Sequence, residues 1–225
     1  TCALPILLIV AHCYAVGIEV AGFALVFLIL LIILFLRFTA QDNAALVFTP
    51  VAFTFKIPAV VPVLGGLLRT PSCAVPASCG VLLYYFMKVV KEKSTVLQGK
   101  ETELVQKLQI LLDGIMKNQE MWLTILAFVV VTVIVYMISR CSFDYSWRVA
   151  NGAGAVTYLV IMVLGGMFLN IHINMGGVIL SAVAAVLLGL VTEFAVLGVD
   201  YSRSEHTQFE DDEYVYYAKA VPKSV

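Results

Sequence analysis

Met121-Trp-Leu-Thr-Ile-Leu-Ala-Phe-Val-Val-Val-Thr-Val-Ile-Val-Tyr-Met-Ile-Ser139 runs without a single charge and is closed by Arg140. A helix of that length measures roughly 29 Å, close to the ~30 Å hydrocarbon thickness of a bilayer. Trp122 and Tyr136 stand near its ends, where amphipathic rings anchor at headgroup level. The stretch reads as a transmembrane helix, and the composition extends that reading to the whole chain. Of 225 residues 61% are hydrophobic and 13% charged, with a mean hydropathy of +0.98. A soluble domain carries about 25% charge and ~45–50% apolar residues, so the apolar surplus here must face lipid. The net charge is −1 and the basic residues are dispersed, which argues against nucleic acid as a partner.

C-terminal to this span, Arg140 to Arg148 reads as a polar turn, followed by a helical hairpin, Val149 to Leu169 and Gly176 to Val199, bent at Asn170-Ile-His-Ile-Asn174. On its second arm Gly177, Ser181, Ala185 and Gly189 recur every fourth residue, a small-residue ridge that lets another helix approach closely. The expected partner is Val149 to Leu169, with Gly165 and Gly166 close by. Glu193 continues the ridge, either as an intramembrane ion or proton site or as the partner of an arginine. N-terminal to the span, Glu92 to Glu120 reads as one amphipathic helix on the membrane surface or against another subunit. Its apolar stripe is Leu104, Leu108, Leu111, Leu112, Ile115 and Met116, opposite Glu101, Glu103, Lys107, Asp113 and Lys117.

Farther upstream, Ala44 to Leu68 carries Pro50, Lys56, Pro58, Pro62 and Gly65-Gly66. Proline removes a helical hydrogen bond and clashes with the preceding turn, and a lysine at bilayer depth is costly. The segment is expected to be a broken or re-entrant pair of half-helices, with the break at Lys56 and Pro58. Arg69 to Ser78 reads as a turn and Gly80 to Val90 as a helix. Thr1 to Leu36 is too long for one span and reads as two helices turning near His12–Glu19. It lacks the basic start of a signal peptide. Glu19, Lys56 and Glu193 together form a candidate intramembrane polar site, with Glu19 and Lys56 able to pair. Lysine and arginine fall near parity on the two sides, so charge bias leaves orientation open.

The cysteines Cys2, Cys13, Cys73, Cys79 and Cys141 follow no zinc or redox spacing and read as buried packing. Cys73 and Cys79 would pair only in an oxidising compartment. No metal or cofactor is expected, and no nucleophile–base set, P-loop or metal-protease motif appears. The chain ends in a polar tail, residues 200–225. Phe209, Glu210, Asp211, Asp212, Glu213 and Tyr214 make its acidic-aromatic core, a partner-binding candidate, and Tyr214 to Val221 has strand propensity.

Val199-Asp-Tyr-Ser-Arg203, Gln208-Phe-Glu-Asp-Asp-Glu-Tyr214 and Lys219-Ala-Val-Pro-Lys223 resemble the tail of a family of uncharacterised multi-pass bacterial membrane proteins. Lys56-Ile-Pro-Ala-Val-Val-Pro62 and Cys79-Gly-Val-Leu-Leu-Tyr-Tyr85 are similar to it as well. The resemblance covers the chain from about Arg37 onward and implies a bacterial inner (plasma) membrane location. It carries over no catalytic or binding residue.

The expected fold is an all-α polytopic membrane bundle of about six to seven membrane segments, one broken or re-entrant, with an amphipathic surface helix and a short polar tail. Its parts are N-terminal membrane helices over 1–91 with the broken segment at 44–68, the surface helix over 92–120, C-terminal membrane helices over 121–199 and the tail over 200–225. The expected function is a non-enzymatic membrane subunit, a scaffold or oligomer-forming component. Its partners are membrane lipid and other membrane or soluble protein subunits, further copies of the chain included, docked through the surface helix and tail. The alternative is a small transporter or channel using the broken helix around Lys56 and Glu193.

Overall fold

A computed structural model describes residues 42–93, 104–141, 145–197, 207–210 and 215–218. The turn near His12–Glu19 and Glu19 itself lie outside the described residues.

The helices are α1 (Asp42–Thr54), α2 (Val60–Leu68), α3 (Ala74–Glu92), α4 (Leu104–Met116), α5 (Gln119–Ser139), α6 (Ser146–Leu169) and α7 (Met175–Leu197). A 3-10 turn, Pro71–Cys73, leads into α3. Four of these are long and apolar enough to cross a membrane, namely α3 with its 3-10 turn, α5, α6 and α7, so this is a helical membrane protein. The tail adds β1 (Thr207–Glu210) and β2 (Val215–Ala218), paired antiparallel with Phe209 opposite Tyr216. Strand propensity was legible from Tyr214 onward; its partner β1, at Thr207–Glu210, departs from a purely helical expectation.

Several boundaries differ from the sequence reading. The region from Arg69 to Ser78 is mostly helix, because Pro71 and Pro76 fall where a missing N–H costs little, in the first turns of their elements. Glu92 to Glu120 is not one helix: α3 ends at Glu92, α4 covers Leu104–Met116, and Gln119 already opens α5. Asn118 separates the last two, its side-chain oxygen accepting from Met121 N at 3.1 Å as an N-cap. The stripe of α4 is also split. Leu111 is buried and Gly114 backs onto Val89, whereas Leu112 and Met116 are exposed. Cys73 and Cys79 are both free thiols.

The four long helices alternate in direction. α3 ends near the start of α5, where Lys88 meets Glu120; α6 and α7 run antiparallel, Asn151 packing on Gly189 and Ser181 lying near Tyr158. One end of the bundle therefore carries Lys88 and Glu120, and the other carries Arg140, Arg148 and Glu193. Into this second end comes the α1–α2 hairpin. Early in α1, Leu46 and Thr49 lie against Gly80 of α3; farther in, Phe53 stacks on Tyr84 at 4.5 Å and reaches Phe128. The chain then reverses, and α2 returns past Gly154 of α6 and Val135 of α5. Both legs run along the same stretch of the bundle, and the connection between them turns inside it. The core around α2 is rich in valine, with Val63, Val81, Phe128, Val131 and Val135 inaccessible to solvent.

Candidate functional site

The turn between α1 and α2 is where the sequence most visibly breaks its helical pattern. The end of α1 is a Schellman motif: Ile57 N bonds Ala52 O at 2.9 Å and Lys56 N bonds Phe53 O at 3.0 Å. That motif places Lys56 in the left-handed region, with φ 60°. Pro58 follows, which a continuing helix could not accommodate. The same motif closes α6, where Ile171 N bonds Gly166 O at 3.0 Å and the left-handed residue is Asn170. Asparagine tolerates that conformation and lysine does not, at a cost of roughly 1–2 kcal/mol. Lys56→Gly is therefore expected to raise the detergent unfolding temperature, by about 1 kcal/mol of stability, and Lys56→Val to lower it. A thermal melt of both variants checks this; equal stability of the two would mean that the turn is not held as described.

Ala59, beyond Pro58, is fully buried, and its N–H donates to Ser181 Oγ at 2.7 Å. Ser181 sits roughly 9 Å along α7 from Met175, well inside the bundle. Tyr158 of α6 lies beside the same serine. Three elements thus meet at one buried polar node. Other buried hydroxyls of the bundle satisfy themselves locally: Thr132 donates to Phe128 O, Thr124 to Glu120 O and Thr49 to Ala45 O, each at 2.7 Å.

Of the candidate charges, Lys56 belongs to this turn and Glu193 to an end of the bundle. Lys56 is exposed, with a four-carbon stem long enough to carry its ammonium toward the nearer surface. Glu193 is bound by Arg148, Nε to Oε1 at 2.9 Å, with the Glu193 side chain 14% exposed and that of Arg148 59%. Lys88 Nζ lies 3.4 Å from Glu120 Oε2 at the opposite end. Glu193 is roughly 18 Å along α7 from Ser181, so it and Lys56 do not form one site. Among the described residues no three His, Cys, Asp or Glu side chains gather as metal ligands would.

The ridge divides into two parts. Ser181 and Ala185 are inaccessible, and Gly189 receives the Asn151 amide against its backbone. Gly177 belongs to the helix start, where its N–H donates to Asn174 Oδ1 at 3.3 Å. Gly165 and Gly166 do not face the ridge: a Cβ at Gly165 would overlap Leu123 of α5, and one at Gly166 would meet Ile173. In the tail, Phe209 and Glu210 lie on β1, while Asp211, Asp212, Glu213 and Tyr214 lie outside the described residues. Sequence reading passed over Tyr158 and Asn151. Their spacing with Arg148 and Ala155, every three or four residues, marks one inward face of α6, as the burial of Asn151, Ala155 and Tyr158 bears out.

The fold and this geometry define a polytopic helical membrane protein with a hairpin that enters and leaves by one end of the bundle. No family model matches the chain, and neither a curated protein nor a solved structure is detectably similar to it.

Proposed function

We propose that the chain is a non-enzymatic subunit of a membrane-embedded assembly, a helical scaffold that docks partners through α4 and the acidic tail. The observation that supports this most is the tail itself. Its described strands, Thr207–Glu210 and Val215–Ala218, pair only with each other. A two-stranded pair this short is marginal in water and leaves both outer edges open, so a docked partner would complete it. The buried valine-rich core around α2 and the local satisfaction of most buried hydroxyls also suit a scaffold. On this reading the N-terminal residues bring the total to about six to seven membrane segments. The tail resemblance supports a bacterial inner membrane location, and further copies of the chain are candidate partners. The test is purification in mild detergent of the full chain and of a chain ending at Arg203. The full chain is expected to run as a complex and the truncated one to lose its companions while keeping its unfolding temperature. A full chain that runs as a lone protomer overturns the proposal.

A second reading, a small transporter or channel, is favoured by the interior turn at Lys56 to Ala59. Broken helices inside a bundle commonly bind substrates or coupling ions. It would rest on the turn and Ser181, since Glu193 lies too far away to share the site.

A further inference from the structure

The seam between α6 and α7 holds a buried acceptor with nothing to accept from. Asn151 is 2% exposed. Its Nδ2 donates to Val186 O at 2.9 Å, which fixes the amide's orientation, since a flip would set oxygen against oxygen. No donor reaches Oδ1 among the described residues. Buried acceptors are nearly always satisfied, and an orphan marks a site where an ion or water belongs. One helical turn away along the same seam stands Glu193. Asn151 and Arg148 share a face of α6 by their spacing, and Gly189 and Glu193 share a face of α7. Asn151 packs on Gly189, and Arg148 bonds Glu193 Oε1 at 2.9 Å, leaving the second carboxylate oxygen available.

The geometry points to a small monovalent cation site of sodium-like preference, built from Asn151 Oδ1 and the free oxygen of Glu193. Amide and carboxylate oxygens are hard ligands that suit alkali and alkaline-earth ions rather than thiophilic metals. A single carboxylate balances one positive charge rather than two, and the ion competes for it with Arg148. Arg148 also has a second partner: its guanidinium lies 5.1 Å from the Tyr145 ring centroid, a cation–π contact it keeps when the ion takes the carboxylate. Gly189 matters here because a side chain at that position would displace the Asn151 amide. Such a site is equally compatible with a scaffold and with a transporter.

The test is thermal unfolding of the detergent-solubilised full chain at constant ionic strength in sodium chloride and in choline chloride. Ligand linkage raises the unfolding temperature by on the order of 3–6 °C when sodium exceeds its dissociation constant about tenfold. That shift is expected to vanish in Glu193→Gln and in Asn151→Leu, and to persist in Val183→Leu on the exposed face of α7. Identical melts in sodium and choline overturn the proposal and leave water as the occupant. A sodium shift that survives both Glu193→Gln and Asn151→Leu overturns it equally, by placing the ion elsewhere.

Discussion

Gly66→Ala is expected to destabilise the bundle by about 1–3 kcal/mol, whereas Gly152→Ala should gain up to about 1 kcal/mol. The two glycines look alike in sequence, each beside a second small residue in an apolar stretch. Their surroundings differ. A Cβ at Gly66 would sit 2.7 Å from Val135 Cβ and 2.8 Å from the Thr132 carbonyl oxygen. Neither atom is the end of a flexible chain, so α2 must move off α5 to make room. A Cβ at Gly152 meets nothing within 4 Å, and alanine there improves helix propensity without a steric cost. Gly80→Ala should resemble Gly66→Ala, since its Cβ would lie 2.6 Å from Thr49 Cβ and 2.8 Å from the Leu46 carbonyl oxygen. These two glycines bracket the hairpin, α1 packing on α3 at one and α2 on α5 at the other. Melts in detergent should therefore show Gly66→Ala and Gly80→Ala several degrees below the parent and Gly152→Ala at or above it, at roughly 2–4 °C per kcal/mol for a chain of this size. If all three melted together, the hairpin would not be clamped between α3 and α5.

Much of this architecture was legible in the residues because the bilayer enforces a simple rule. A run such as Met121 to Ser139 has no alternative to a spanning helix once its backbone must satisfy itself. Pro58 and Lys56 likewise announced a break between α1 and α2 by chemistry alone. The direction of the second half-helix was not announced. Whether Val60–Leu68 continues outward or folds back depends on which helices receive it, and the glycines that receive it, Gly154 and the partner position at Gly66, have no periodic signature. The extent of α4 was misjudged because charge and apolar spacing continue smoothly from Glu92 to Glu120, while the separation from α5 is made by one asparagine cap. Glu193 shows the same limit at the site. Its place on the ridge was readable from a spacing of four residues, but its partner Arg148 lies 45 residues earlier and was fixed only by the antiparallel packing of α6 on α7. The orphaned oxygen of Asn151 is invisible to any reading of spacing, since it depends on which carbonyl the amide nitrogen finds.

Ser181 is the ridge residue whose replacement should cost most. It has two duties that leucine cannot perform. Its small side chain lets the interior turn approach α7, and its Oγ accepts the buried Ala59 N–H at 2.7 Å. Ser181→Leu removes the acceptor and adds volume at a position with no accessible surface. Overpacking alone costs about 1–3 kcal/mol, and an unsatisfied buried N–H adds about 1–3 kcal/mol. Ser181→Ala isolates the second term, because alanine fits the space and merely orphans the donor. Gly189→Leu isolates the first, since its side chain would collide with the Asn151 amide without touching the turn. Val183→Leu is the comparison on the other face of α7, where the side chain is 51% exposed and an added methylene meets lipid or detergent. The expected order of unfolding temperatures is Val183→Leu close to the parent, Ser181→Ala and Gly189→Leu lower, and Ser181→Leu lowest. Hydrogen exchange at Ala59 adds a local readout: its amide should exchange faster in Ser181→Ala and remain protected in Val183→Leu. Equal tolerance of leucine at positions 181 and 183 would mean that the ridge faces lipid and that the turn is held by something other than α7.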